Sequence, residues 1–198
     1  MNAYPRRLTL LIISIAAIAV TMPRAVARAQ PSIRIIEKGI YQAETTGRTI
    51  TQEATGVRNT VRNPRLINDT VVVYGKNGVR FGVRYVLSGT SGPTLDLHLV
   101  IRFPAPGLRD PAAGKRYFES AQVLTIEAAA AYYWEYHFEN DWEIVPGVWT
   151  FEFWSSETML ASQKFCVIDA TQLLDAGKAK GCLPLLSGAE SNTHLSHR

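Results

Sequence analysis

The sequence predicts an all-β fold in which two antiparallel sheets pack as a sandwich, followed by a short C-terminal helix. Residues 79–87 and 95–103 each alternate apolar and polar side chains over nine residues, the pattern of half-buried antiparallel strands. Seven or more short strand patterns follow one another between turn residues, without strand–helix alternation. The Cys…Trp…Cys spacing of antibody domains is absent, so the prediction is only an immunoglobulin-like sandwich. The inward-facing sets are Val79, Phe81, Val83, Tyr85 and Leu87, and Leu95, Leu97, Leu99, Ile101 and Phe103.

A long β-hairpin over residues 141–169 is the strongest single element of the sequence. Trp149, Phe151 and Phe153 occupy alternate positions, which gives the outgoing strand one strongly aromatic face. The return strand continues the pattern with Phe165 after a short polar connection. We expect this hairpin to supply the apolar half of a sheet interior.

The N-terminal part of the sequence is less regular. Residues 32–42 predict a first strand with a bulge or bend near residues 37–39, because its isoleucines occupy both faces. Residues 43–54 are polar and without a clear period, which predicts a loop. Residues 56–62 form only a weak strand pattern, and Pro64 interrupts it.

The remaining strands are shorter. Residues 70–74 and 122–126 have the composition of strands, and residues 107–114 read as a surface turn rich in glycine and proline. Aromatic residues alternate over residues 131–138, which predicts an extended segment. The alanine run 128–131 has helical propensity on its own, so its conformation is left open.

The chain divides into a leader, one domain and a C-terminal extension. Residues 1–29 predict a signal peptide and residues 30–169 the β-sandwich. Residues 170–186 predict a short helical extension, for which Asp169 is a suitable N-cap. Residues 187–198 are polar without an apolar period, which predicts a disordered tail.

The leader has the three parts of an export signal. Arg6 and Arg7 form a basic region, residues 8–20 are mainly apolar, and Ala-Arg-Ala at 27–29 fits a cleavage site before Gln30. The apolar run is shorter than the roughly 20 residues of a membrane helix, so we expect no stable membrane span after cleavage. The sequence therefore predicts a periplasmic or secreted protein.

The charge of the chain belongs to its leader. The whole chain carries 21 basic and 17 acidic residues, a net charge of +4, and four of the arginines precede residue 30. Cleavage leaves 17 of each sign, so the mature protein has no net charge. This balance removes the electrostatic argument for a nucleic-acid partner.

Cys166 and Cys182 are the two cysteines of the chain. An even count in an exported protein favours one disulfide, with two free or buried thiols as the alternative. The closed loop would stabilise the fold by about 3 kcal/mol in the chain-entropy model.

No catalytic or cofactor motif stands out. The sequence lacks the Gly-x-Ser-x-Gly elbow, the His-Glu-x-x-His helix and the phosphate-binding glycine loop with its lysine. His98 and His137 fall on outward strand positions, and His194 and His197 lie in the predicted tail. We therefore predict no enzyme activity, no catalytic residues, no cofactor and no metal site.

A basic cluster is the first candidate binding surface. If residues 79–87 and 95–103 pair with each other, Arg84 lies opposite His98 on the outward face. The same register places Arg80 opposite Arg102. Facing like charges destabilise a sheet, so either neighbouring acids or an anionic ligand must compensate them. The candidate acids are Glu135 and Glu152.

Aromatic residues form the second candidate surface. Trp154, and either Tyr133 or Trp134, fall on outward strand positions, where a ring can stack on a sugar or anchor a partner protein. The alternative is that a loop or the terminal helix covers them. Trp142 is expected to pack at the end of the sandwich.

With these residues placed, the chain resembles the bacterial exported domain-of-unknown-function family numbered 3859. The similarity covers residues 32–168, and block 142–154 is its most specific part. The resemblance implies an exported, immunoglobulin-like domain and supplies no activity or functional residue. The matching segments are IEKGIY (36–41), RFP (102–104), GLRDP (107–111), WEIVPGVWTFEFW (142–154), LA (160–161) and FCV (165–167).

Three functions are compatible with these patterns. The leading hypothesis is a non-catalytic interaction or structural module of the bacterial cell envelope, whose partner is an envelope protein or a glycan and which binds through a strand edge or a loop end. The second is a carbohydrate- or anion-binding module that uses the candidate residues Arg80, Arg84, His98, Arg102 and Trp154. The third is an unrecognised hydrolase.

Overall fold

A computed structural model of the chain describes residues 30–50, 57–90, 92–169 and 182. The signal peptide predicted for residues 1–29 and the tail predicted for 187–198 lie outside these ranges, as does most of the extension predicted for 170–186. The described residues form two sheets packed face to face. Sheet A contains, in spatial order, β2 (Val57–Asn68), β1 (Ser32–Ile50), β4 (Arg80–Ser88) and β9 (Ala131–His137).

Sheet B is the five-stranded layer. It contains β3 (Val72–Tyr74), β11 (Thr158–Ile168), β10 (Gly147–Ser155), β5 (Thr94–Arg102) and β8 (Glu119–Glu127). Only β3 runs parallel to its neighbour; the other pairs are antiparallel. A small ribbon of β6 (Leu108–Arg109) and β7 (Arg116–Tyr117) and a 3-10 turn (Asp141–Glu143) complete the described structure.

This architecture confirms the predicted all-β sandwich. The predicted C-terminal helix falls on residues outside the described ranges. Within those ranges, no helix has the length and apolar character that a membrane crossing requires.

The core lies between the two sheets and is strongly aromatic. Phe81 occupies its centre, and its ring contacts Trp149, Phe151 and Phe165 at centroid distances of 5.7, 5.7 and 5.3 Å. The predicted inward residues of both nine-residue strands are buried or half-buried. Burial of each such side chain contributes about 1.5–3 kcal/mol, so the alternation pattern identified the main source of stability.

The two alternating strands do not pair with each other, so the condition on which the basic cluster rested is not met. β4 lies in sheet A between β1 and β9, whereas β5 lies in sheet B between β10 and β8. The connection between β4 and β5 therefore crosses from one sheet to the other. Alternation identifies the face that a strand buries but not the strand beside it, and both strands here bury the same interior from opposite sides.

The loop predicted for residues 43–54 is partly wrong as well. β1 continues to Ile50 and pairs with β2, which runs through Pro64. Pro64 is tolerated because β2 is an edge strand, where one side of the backbone needs no partner. We call the hairpin end made of residues 43–50 and 57–62 the arm. The pairing of β1 with β4 has a register shift at Ile35/Glu37, next to the predicted bulge. The pairing of β1 with β2 has three more register shifts.

Two turns position the lateral side of the sandwich. Ala128 and Ala129 form the turn between β8 and β9, and Ala129 lies in the left-handed region at φ 63°. The alanine run is therefore mainly a turn, and only its last residue, Ala131, belongs to a strand. The segment predicted as a surface turn at 107–114 carries β6, whose Leu108 is fully buried. That side chain belongs to the main core between the sheets.

Candidate functional site

A cleft of about 230 Å³ opens on the lateral side of the sandwich between β8 and β9. These two strands follow one another in the chain, yet β8 is an edge of sheet B and β9 an edge of sheet A. The space between them is therefore the open flank of the core. Its lining combines inward side chains of both sheets with polar residues of the arm and of the 3-10 turn, among them Asn59, Gln122, Tyr136, His137, Glu139 and Glu143.

Backbone groups of β8 border this cleft. Phe103 N donates to Phe118 O at 2.8 Å and Ala128 N to Pro93 O at 3.0 Å, and the register between them has no shift. Because hydrogen-bonded pairs alternate in an antiparallel ladder, the even-numbered residues of β8 bond to β5. The N–H and C=O groups of its odd-numbered residues consequently point to the free edge, since β8 pairs only with β5 among the described residues.

One of these edge groups is already bonded. The Tyr132 hydroxyl lies 2.7 Å from the backbone nitrogen of Glu127, beside the turn that joins the two strands. Farther along, Val123 is 54% exposed and Phe118, just before the strand, is 60% exposed. The usable edge therefore runs from Glu119 to Thr125.

The arm covers the end of sheet A next to the cleft. Arg48 Nη2 and Asn59 Nδ2 each donate to Glu139 Oε1 at 2.9 Å. Thr45 Oγ1 accepts a hydrogen bond of 2.6 Å from Arg80 Nη2. The arm belongs to β1 and β2, on the other side of sheet A from β9. These contacts bring it over the end of the sheet, where it forms a wall of the cleft.

Beneath the arm lies a buried ion pair. The Arg80 guanidinium donates to Glu135 Oε1, and the side chains of the two residues are only 8% and 10% exposed. The Tyr133 hydroxyl donates to the other carboxylate oxygen of Glu135. Burial raises the pKa of Glu135, while the bonds from Tyr133 and Arg80 oppose that shift. Burial and the Glu135 charge both raise the pKa of Tyr133.

A second buried acid, Glu143, lines the cleft. Glu143 is 1% exposed and accepts hydrogen bonds from Glu139 N at 3.1 Å and Asn140 Nδ2 at 2.6 Å. Burial raises the pKa of Glu143, and these bonds oppose the shift. No lysine or arginine pairs with its carboxylate within the described residues.

Three polar atoms around these acids are buried without a well-formed hydrogen bond. They are Asn59 Oδ1, the Tyr136 hydroxyl and His137 Nδ1. Burial, and after it the nearby Glu143 carboxylate, raises the pKa of Tyr136, and His137 Nδ1 lies 3.2 Å from Glu139 Oε1. Burial and the Arg80 charge lower the pKa of His137, so its ring is the neutral form at neutral pH. Buried polar groups normally have hydrogen-bond partners, so Asn59 Oδ1 and the Tyr136 hydroxyl mark the cleft as a place where a ligand can supply one.

The residues of the predicted basic cluster do not share one face. Arg80 and Arg84 belong to β4 in sheet A, whereas His98 and Arg102 belong to β5 in sheet B. The predicted juxtaposition is therefore wrong, because it required β4 and β5 to be neighbours. A binding role for these residues stays a prediction.

Acidic neighbours accompany each arginine of this set. Arg80 pairs with Glu135, one of the two acids named from the sequence, and Arg84 Nε donates to Glu37 Oε2 at 2.9 Å. Arg102 Nε lies 3.0 Å from Glu152 Oε2, the other named acid, and its Nη1 pairs with Glu119. Local acids thus balance these charges without an anionic ligand.

The aromatic candidates also separate. Trp154 is half-buried on the outward side of β10, where its Nε1 donates to Glu152 Oε2 at 3.0 Å. Trp134 belongs to the core, and Tyr133 is the outward residue of that pair. Trp142 packs against the core at the end of the sandwich, as expected.

The predicted disulfide between Cys166 and Cys182 is present. Cys182 is 1% exposed and packs with Cys166 and Ile168 on the outward side of β11. The bond attaches the chain beyond the sandwich to the last strand of sheet B.

The chemistry available in the cleft is limited. Ser120 and His137 both line it, but no hydrogen bond joins their side chains in the described structure. Across the same residues, no set of three or more His, Cys, Asp or Glu side chains is arranged to hold a metal ion. The carboxylates and the neutral imidazole can accept hydrogen bonds, which suits a ligand that donates them.

Sequence reasoning missed this site almost entirely. Glu143 was seen only as part of a hairpin entrance, and Asn59 fell in a weak strand. The sequence offers one signal for this cleft, the two acids Glu139 and Glu143 close together near the end of a strand. The arm that completes the cleft has no hydrophobic pattern that predicts its position.

Solved structures show the fold. An immunoglobulin-like protein from Pseudomonas aeruginosa is similar with a TM-score of 0.52 and 26% sequence identity, over 72% of this chain and 99% of that one. An alkylpurine DNA glycosylase from Pseudomonas fluorescens bound to DNA gives a TM-score of 0.32 and 15% identity, over 49% and 27% of the two chains. The second similarity is too low to carry an argument.

No curated protein matches the chain. The sequence profile of the family described as "Domain of unknown function (DUF3859)" matches residues 29–167, which is most of the chain. This match agrees with the resemblance found in the sequence and with the immunoglobulin-like neighbour. The chain therefore belongs to the DUF3859 family and has an immunoglobulin-like β-sandwich fold.

Proposed function

We propose that this protein is an exported, non-catalytic interaction module of the bacterial cell envelope, which captures an extended segment of a partner protein along the free edge of β8. The observation that carries the proposal is the edge itself. Within the part of the chain that the structure describes, its backbone groups from Glu119 to Thr125 have no strand partner on this side, and its alternation is regular and free of proline. An extended peptide that adds to such an edge gains main-chain hydrogen bonds, the basis of strand addition.

Side chains beside the edge support a peptide partner. Exposed edges are usually protected by charge, by proline or by a covering element. Here Glu119 and Glu127 lie only at the ends of β8, while Ala121 and the exposed Val123 occupy its middle. A partner strand with an apolar residue over Val123 fits this arrangement.

Export is supported by two features. The leader has the basic, apolar and small-residue parts of a signal peptide. A disulfide between Cys166 and Cys182 suits an oxidising compartment such as the periplasm or the outside of the cell.

The proposal is tested by selecting a random seven-residue peptide library on the protein and on its Val123→Pro variant. The Val123 N–H points to the free edge, so proline removes an edge donor while the bonds to β5 remain. We expect enrichment on the unchanged protein, retained by the control Val123→Thr and lost with Val123→Pro. Bound peptide should slow hydrogen exchange at Ala121 and Val123 but not at Gln122.

Absence of enrichment, or equal enrichment on Val123→Pro, contradicts strand addition. A glycan array run beside the selection tests the carbohydrate-binding alternative. Binding of a sugar with no peptide bound would replace the proposal.

A further inference from the structure

We propose that the cleft beside β8 binds the cationic end of a lysine or arginine side chain carried by the docked strand. The inference rests on the proposed function, because the strand delivers the side chain. The cleft would then select peptides that carry a positively charged side chain at one position.

The charges of the cleft are the first argument. Three of its lining residues are acids, namely Glu135, Glu139 and Glu143. Arg80 pairs with Glu135, and Arg48 pairs with Glu139. Glu143 has no cationic partner within the described residues, so this wall is short of one positive charge. A buried carboxylate is strongly favoured by a paired cation, which no described residue supplies to Glu143 and a bound ligand would supply.

Unsatisfied acceptors are the second, independent argument. Tyr136 is 6% exposed and lines the cleft, and its hydroxyl has no hydrogen-bond partner of good geometry. Asn59 Oδ1 is a buried acceptor in the same condition. An ammonium or guanidinium group brings only donors, three and five respectively. It therefore meets the acceptors and the charge together, whereas a sugar hydroxyl meets only the acceptors.

The size and position of the cleft fit one side chain. Its volume of about 230 Å³ lies below the roughly 300–1,000 Å³ of sites for whole small-molecule ligands. The even-numbered residues Ser120, Gln122 and Leu124 of β8 turn their side chains into it. Every second side chain of a strand docked on β8 would point the same way. An apolar stem then contacts Leu99 and Ile101 while its charged end reaches the acids.

The inference is tested with the peptides enriched on the β8 edge. We expect a lysine or arginine at one fixed position, and we expect its replacement by norleucine to weaken binding about tenfold. Glu143→Gln should weaken the basic peptide by a similar factor and leave the norleucine peptide unaffected. Tyr136→Phe provides a second variant that keeps the aromatic ring in the core.

The matched control is Glu157→Gln, the same chemical change in the exposed β10–β11 turn, which should alter neither affinity. n-Butylammonium alone, followed by NMR, should shift Tyr136 and His137, and n-butanol should not. Peptides that need the Val123 edge but show no basic residue would overturn the cleft inference and leave the proposed function standing. Shifts by n-butylammonium without any edge-dependent peptide would support the cleft and overturn the strand partner.

Discussion

Arg80 and Arg102 occupy corresponding places in the two sheets but very different surroundings. Each lies at one end of a nine-residue strand, on the outward face, with a carboxylate on a neighbouring strand. The side chains of Arg80 and Glu135 are 8% and 10% exposed, because the arm covers them. Those of Arg102 and Glu119 are 49% and 50% exposed, because nothing comparable covers sheet B among the described residues.

The comparison teaches that burial, rather than the number of partners, decides what an ion pair contributes. Arg102 pairs with two carboxylates and Arg80 with one, yet the Arg102 side chain is itself 49% exposed, and a pair at a solvent-exposed cation contributes about 0–1 kcal/mol. A buried pair adds little net stability over apolar residues, but removal of one partner leaves a charge without compensation. The covered end of sheet A is therefore the sensitive one.

The largest effect is expected from Arg80→Met. Methionine keeps an apolar stem in place but leaves Glu135 buried without its cation, which should lower the free energy of unfolding by about 3–5 kcal/mol. Urea denaturation at neutral pH measures the loss. A double variant that also carries Glu135→Gln should recover part of it, because the uncompensated charge is removed.

A loss below about 1 kcal/mol for Arg80→Met would contradict the argument. It would mean that Glu135 accepts a proton at little cost or that the arm leaves the surface in solution. Urea denaturation of Arg80→Met at higher pH separates these two readings, because a protonated Glu135 makes the loss grow as the pH rises, whereas an uncovered site does not.

An intermediate effect is expected from Glu143→Gln and depends on pH. Burial raises the pKa of Glu143 above its ordinary value of 4.5, so the folded protein holds this proton more tightly than the unfolded chain. The corresponding stability is fully present below pH 4.5 and is lost as the pH rises through the raised pKa. Relative to the unchanged protein, the variant should therefore gain stability from pH 4.5 upward.

Denaturation curves at several pH values check this prediction through the difference between variant and unchanged protein. Glu135 contributes a slope of the same sign, and His137, with its lowered pKa, contributes the opposite slope just below pH 6.5. Both remain in each protein and cancel in the difference. A difference that does not vary with pH would show that Glu143 titrates as it does in the unfolded chain.

The smallest effect is expected from Arg102→Met. Glu152 is 12% exposed, but Arg102 and Glu119 are about half exposed, so solvent and salt screen the arginine charge. The free energy of unfolding should therefore change by no more than about 1 kcal/mol. Urea denaturation at low and high salt measures it. A loss as large as that of Arg80→Met would remove the distinction between the two sheets.

The sequence predicted the core well because burial on one face of a strand leaves a direct pattern. Phe81, Leu97 and Trp149 are all fully buried, as their alternation requires. The hairpin of β10 and β11 and the disulfide between Cys166 and Cys182 were likewise predictable from local pattern and cysteine count.

The candidate site was not predictable for a physical reason. Its walls depend on which strands are neighbours, and the alternation does not specify this. The pairing of β4 with β5, on which the predicted basic cluster depended, accordingly does not occur. The arm contains few apolar residues, so it has no hydrophobic period. Its position depends on single polar contacts such as Asn59 with Glu139, which become visible only in three dimensions.

The hydrogen bond between the Tyr132 hydroxyl and Glu127 N has a consequence for any strand that docks on β8. It closes the ladder beside the turn, so an incoming chain has a fixed end point and a length limit of about seven residues, Glu119 to Thr125. A docked peptide cannot extend past this hydrogen bond. Longer peptides must leave the surface at the opposite end, beyond Phe118, and Tyr132 thereby sets the register in which they pair with β8.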